Sequence, residues 1–182
     1  MLKEINALII LLTSTDMPEA SYRYHIKSLK ALVATNRFAG QIMIDQLIAV
    51  KKNFAGASAS FAERLNIHTG LFKVSINKPK SLSSFTKAVG IRELTEFGYH
   101  PALSGMFRFL RSGNQIVREE ALIAFLKMDR KNPLGFLHHY KTPVTQTMSI
   151  RMHHELSLMK QNQLPLFGKW FENKNPDVVK FA

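Results

Sequence analysis

The chain contains no cysteine, so neither a disulfide framework nor a thiolate metal site is open to it. It also lacks a long hydrophobic run. No apolar run exceeds that of Ala7–Leu12, which falls far short of the ~20 residues that span a bilayer. Lys3 and Glu4 precede it and Thr13–Asp16 follow, without a small-residue cleavage pattern. It is therefore read as the buried face of an N-terminal helix. Strand signals are scarce: Lys73–Ile76 alternates briefly and stands alone. Acidic residues are few, 13 against 25 basic ones, which leaves a formal net charge of +12. The imbalance is uneven. From Ala20 to Lys80 ten basic residues face only Asp45 and Glu63. Such charge bears on partners rather than on fold, and admits nucleic acid, an anionic membrane surface or an acidic protein.

What is present is helical periodicity over a length able to bury a substantial core. It predicts helices at Leu2–Thr13, Pro18–Thr35, Phe38–Asn53 and Ser58–Thr69, with a looser segment at Leu71–Ile76. Within Phe38–Asn53, Ile42, Ile44, Leu47, Ile48 and Val50 are more apolar than a one-sided surface helix needs. Ser58 is placed to cap the next helix and Gly70 to stop it. From Pro79 onward proline recurs where helices would begin, often after a capping residue, as in Asn132-Pro133, Thr142-Pro143 and Asn175-Pro176. This predicts short helices at Ser83–Phe97, Pro101–Leu110, Gln115–Met128, Pro133–Tyr140, Pro143–Met159, Pro165–Phe171 and from Pro176 onward. In Gln115–Met128 the inward stripe is Val117, Ala121, Ala124, Phe125 and Met128.

The segment Phe109–Ala121 matches Trp170–Ala182 at an offset of sixty-one. Both read as an aromatic helix end, a polar turn, an Asn cap and a new helix with Val and Ala at core spacing. A weaker copy from Phe136 through Met148 sits at an offset of twenty-seven from the first, with Thr145 where an Arg would be and Met148 where an Ala would be. Periods of this size mark stacked helical arrays, in which each pair needs its neighbours to bury both faces. The array is expected to start near Ser81. The last copy stops in mid-helix at Ala182, so the chain is expected to belong to a longer array.

Asn114, Val117, Arg118, Ala121 and Ala124, echoed by Asn175, Pro176, Val178 and Ala182, resemble the HEAT-repeat family of helical solenoids. Gln41–Leu47, Gly90–Leu94 and Asn132–Leu137 resemble, more closely, bacterial HEAT-repeat proteins that often carry an N-terminal membrane anchor. The resemblance implies an all-α fold, a right-handed α-solenoid of antiparallel helix pairs. Residues 79–182 would be the repeats, and 1–78 a basic helical region packed on them. It implies no chemistry of its own. A cytoplasmic location follows, with tethering to the inner membrane if an anchor precedes Met1 in a longer parent protein.

No constellation demands an enzyme. His138-His139 and His153-His154 place neighbouring rings about 100° apart on a helix, so one pair chelates a metal poorly. Glu93 and Glu96 read as a solvated face, and Glu119-Glu120 as favourable charge near a helix start. Gly168-Lys169-Trp170 has neither the hydroxyl residue nor the preceding strand of a phosphate loop. The serines at 58, 60, 81, 83 and 84 read as caps and turns, and Trp170 as core. No catalytic residue, cofactor, metal or small-molecule substrate is expected. The chain reads as a non-catalytic scaffold that binds another protein, with Arg92, Arg118, Lys127 and Arg151 as contact candidates. Arg23, Lys27, Lys30, Lys51 and Lys52 form a basic N-terminal patch. The alternative is a nucleic-acid-binding helical-repeat protein, including a DNA-glycosylase-like module; the third option is adsorption to anionic lipid.

Overall fold

The computed structural model describes residues 18–54, 56–160, 164 and 167–181. The helix expected over Leu2–Thr13 lies outside them. Among the described residues all regular structure is helical. The chain forms two compact units, one up to Lys78 and one from Pro79.

In the first unit α1 (Glu19–Thr35), α2 (Arg37–Asn53) and α3 (Ala57–Thr69) pack mutually, followed by the short α4 (Phe72–Asn77). Ile26 and Leu29 of α1 meet a core built from Ala39, Met43, Ile44 and Leu47 of α2 and Phe61, Ala62 and Leu65 of α3. The apolar face of α2 is narrower than its composition implies, because Ile42, Ile48 and Val50 are only half-buried. Asn36 alone joins α1 to α2, its side chain accepting from the amides of Phe38 at 2.9 Å and Ala39 at 3.1 Å. Ser58 is not the cap of α3. The helix has already begun at Ala57, after Gly56 at φ 66°, a conformation that needs no Cβ. Gly70 closes α3 in the left-handed region at φ 78°.

The second unit contains α5 (Ser84–Glu96), α6 (Leu103–Met106), α7 (Gln115–Met128), α8 (Gln146–Ser157) and α9 (Pro176–Phe181). One register runs through it. Ser83, Asn114, Thr145 and Asn175 each accept, through the side-chain oxygen, an amide two or three residues ahead: Thr86 at 3.3 Å, Val117 at 3.2 Å, Met148 at 3.2 Å and Asp177 at 3.1 Å. The intervals are 31, 31 and 30 residues (83 to 114, 114 to 145, 145 to 175). At three of the four the cap's own amide is held by the residue two before it. Ser83 donates to Ser81 Oγ, Asn114 to Ser112 Oγ and Asn175 to Asn173 Oδ1. The weaker internal copy is thus in register at 31, not 27. Tyr140–Thr145 runs without regular structure, Val144 donates its amide to Asp177 at 3.3 Å, and Thr145 rather than Thr142 starts the helix.

Three other expected helices shrink. Pro101–Leu110 breaks into a 3-10 turn at His100–Ala102, the single turn α6 and a second 3-10 turn at Phe107–Arg111. Pro133–Tyr140 is reduced to a 3-10 turn at Gly135–His139. Each segment holds an interior glycine, Gly105 and Gly135, which costs about 1 kcal/mol against alanine in a helix. The described residues of Pro165–Phe171 likewise form a 3-10 turn, Phe167–Trp170.

Helix α7 is the centre of this unit and packs against α5, α6 and α8. Its expected stripe is buried, and so are Leu122, Ile123 and Leu126 on its other sides. A helix flanked by neighbours on several faces cannot remain one-sided. Helix α8 is one-sided: Met148, Met152 and Leu156 go inward while Ile150 is exposed. Phe109 and Trp170, equivalent in the self-match, are both buried.

Candidate partner-binding surface

Three of the four arginines and lysines expected to meet a partner have their cations engaged within the second unit. Lys127 Nζ lies 3.2 Å from both carboxylate oxygens of Glu96 and 3.7 Å from Glu155. Arg151 reaches Glu120 at 3.0 Å and Glu119 at 3.7 Å. Arg118 donates to the carbonyls of Ser112 and Gly113 at 2.7 and 3.0 Å, bracing the turn before its own helix. Arg92 is exposed.

These pairs correct the reading of the acidic residues. Glu93 is buried and Glu96 largely so, which removes the solvated face expected of them. Glu119 and Glu120 stand beyond the first turn of α7, where the helix-start effect has faded. They answer Arg151 on the next long helix instead. Thr145 Oγ1 also donates to Glu119 at 3.1 Å. Because successive long helices repeat at 31 residues, Glu96 meets Lys127 and Glu120 meets Arg151, each pair 31 apart.

In the first unit Arg23, Lys27 and Lys30 lie along α1. With Tyr22, Ile26 and His68 they line a shallow groove of about 510 Å³. Arg23 pairs with Glu19 at 2.5 Å, while Lys27 and Lys30 are exposed. Lys51 pairs with Glu63, and Lys51 and Lys52 both sit in the last turn of α2, where cations complement the helix dipole. The five residues of the expected patch therefore fall on two helices, with Arg23 and Lys51 paired to Glu19 and Glu63.

A second groove, of about 650 Å³, opens in the second unit between two turns. One wall is the Gly135–His139 turn and the loop after it; the other runs from Lys169 to Pro176. Asparagine side chains strap the walls together. Asn173 Nδ2 donates to Leu137 O at 3.3 Å, and Asn175 Nδ2 donates to Tyr140 O at 3.2 Å and Thr142 O at 3.0 Å. Lys141, Lys169, Lys174 and His138 line the opening with one carboxylate, Glu172. The three lysines are exposed. They stand up to 33 residues apart along the chain, so no local pattern marks them as a group.

No family model, curated protein or solved structure matches this chain. Among the described residues no three His, Asp or Glu side chains converge to hold a metal ion. His138 packs its ring 4.2 Å from that of Trp170, and His153 packs 4.7 Å from Phe181 with Nδ1 2.8 Å from Ser149 O. The side chain of His139 lies outside the described residues. No described helix is long and apolar enough to cross a membrane.

Proposed function

We propose that the chain is a non-catalytic scaffold, an α-solenoid of HEAT-like helix pairs whose surface binds a macromolecular partner, most plainly another protein. The observation that carries this reading is the interval of 31, 31 and 30 residues between the caps Ser83, Asn114, Thr145 and Asn175. A recurrent unit that stacks on its neighbours generates extended grooves rather than an enclosed pocket. The basic residues outside the internal ion pairs would steer an acidic partner by long-range attraction. A cytoplasmic location, with tethering in a longer parent protein, goes with this reading.

Nucleic-acid binding is the second reading, favoured by the +12 charge and by the exposed Lys27 and Lys30 on one helix. Titration against fluorescent duplex and single-stranded DNA, with anionic vesicles in parallel, separates the two. The scaffold reading expects binding at low salt only, since a diffuse cationic surface loses its hold as counterions compete. Tight DNA binding that persists at near-physiological salt would overturn it.

A further inference from the structure

We propose that the groove between the Gly135–His139 turn and the Lys169–Pro176 segment is a docking site for an extended acidic peptide segment of the partner. It rests on the reading of the chain as a protein scaffold. Three exposed lysines, Lys141, Lys169 and Lys174, face a single carboxylate, Glu172, so the opening is net cationic. None of the three has a hydrogen-bond or ion-pair partner among the described residues. This sets them apart from Lys127 and Arg151, whose charges are answered inside the fold. The space, about 650 Å³, is of small-ligand size and takes a short stretch of chain rather than a folded domain.

The chemistry of the lining favours carboxylates over a phosphate backbone. Its strong cations are all lysines, compact point charges, and it has no arginine fork to bracket a phosphate. Tyr140 is buried, so its ring offers no face on which a base can stack. Glu172 would oppose a continuous run of phosphates, whereas a peptide can place a neutral residue against it. The walls need little rearrangement to receive a segment, because the bonds from Asn173 and Asn175 already hold them at their separation. Two buried polar atoms, Nε1 of Trp170, whose ring centroid lies 4.2 Å from that of His138, and Oγ1 of Thr142, which follows Lys141 in the chain, have no hydrogen-bond partner among the described residues.

The test is fluorescence anisotropy with a short labelled peptide of alternating glutamate and serine, using the full chain. Replacing Lys141, Lys169 and Lys174 together by Gln is expected to weaken binding about eightfold, roughly twofold for each exposed ion pair. Replacing Lys27 and Lys30 by Gln removes only long-range attraction and should weaken peptide binding by no more than about twofold in total. Glu172→Gln should tighten binding about twofold, a gain that misfolding cannot produce. All these side chains except Glu172 are lysines at the exposed surface, and unchanged helicity and melting temperature check the fold. Equal losses per lysine removed in the two variants would mean diffuse attraction and overturn the docking site. So would a labelled single-stranded DNA that responds to the triple substitution when the peptide does not, which would make the partner a nucleic acid. If neither probe depends on the groove, the docking site is refuted, while the scaffold reading falls only if DNA binding persists at near-physiological salt.

Discussion

Lys127 Nζ lies equidistant, at 3.2 Å, from the two carboxylate oxygens of Glu96, a residue thirty-one positions earlier on the preceding long helix. The pair is mostly withdrawn from solvent, with 26% and 14% of the two side chains exposed, and Glu155 approaches the same ammonium from the following long helix. One cation thus joins three successive long helices. A double-mutant cycle with Lys127→Met and Glu96→Gln should return a coupling of about 1 kcal/mol, above the median for fully exposed pairs. A coupling indistinguishable from zero in chemical denaturation would mean that the contact is only geometric.

Arg151 has the corresponding role in the next interval, between Glu119 and Glu120 of α7. Arg151→Met leaves two largely buried carboxylates without this cation. Stability should fall by about 2 kcal/mol, less than for a fully buried pair because the guanidinium is partly solvated. Arg92→Met, at an exposed position, should change stability by no more than about 0.5 kcal/mol. Urea melts of the two variants make the comparison, and equal effects would contradict the structural role of Arg151.

Asn114 and Asn175 look alike in sequence but differ in what their amide nitrogens do. Both side-chain oxygens cap a helix, yet only Asn175 also donates to two carbonyls across the groove. Asn114→Asp should be nearly neutral, since Asp caps as well as Asn and suits the helix N-terminus. Asn175→Asp keeps the cap, loses both straps and turns a carboxylate toward the carbonyls, so it should cost about 1–3 kcal/mol. Thermal melts in parallel would show the asymmetry; equal shifts would mean the straps contribute nothing.

Leu126 and Ile150 separate burial from hydrophobicity. Leu126 of α7 is fully buried, and its replacement by alanine should cost about 2–5 kcal/mol through lost transfer energy and a residual cavity. Ile150 on α8 is 63% exposed, and Ile150→Ala should change stability by about 0.5 kcal/mol or less. Denaturant midpoints at constant slope decide the point.

Gly70 gives a backbone counterpart in the first unit. At φ 78° an alanine there enters the left-handed region at a cost of about 1–2 kcal/mol, although nothing crowds its Cβ. A melting temperature unchanged in Gly70→Ala would show that the end of α3 relaxes freely.

What could be read from the residues alone was local. Helices α1, α2, α3, α5 and α7 fall within a residue or two of their apolar periodicity, because a helix is set by spacing along one segment and by its end signals. Gly70, Asn114 and Asn175 acted as the stop and caps their types imply. Trp170 lies in the core, as the largest apolar area in its turn would. The tertiary structure decided what depends on neighbours distant in sequence. It set the 31-residue register of the weaker copy, because the contact between Val144 and Asp177 spans 33 positions. It reduced Pro133–Tyr140 to a 3-10 turn and broke up Pro101–Leu110, since Gly105 and Gly135 weaken these segments and packing then selects the tighter geometry. It also sorted the cations. Charge counts cannot distinguish Lys127, which meets carboxylates on two other helices, from Lys141, Lys169 and Lys174, which gather at one groove mouth. A side chain's partner lies across the packing interface, and only the folded arrangement of helices brings the two together.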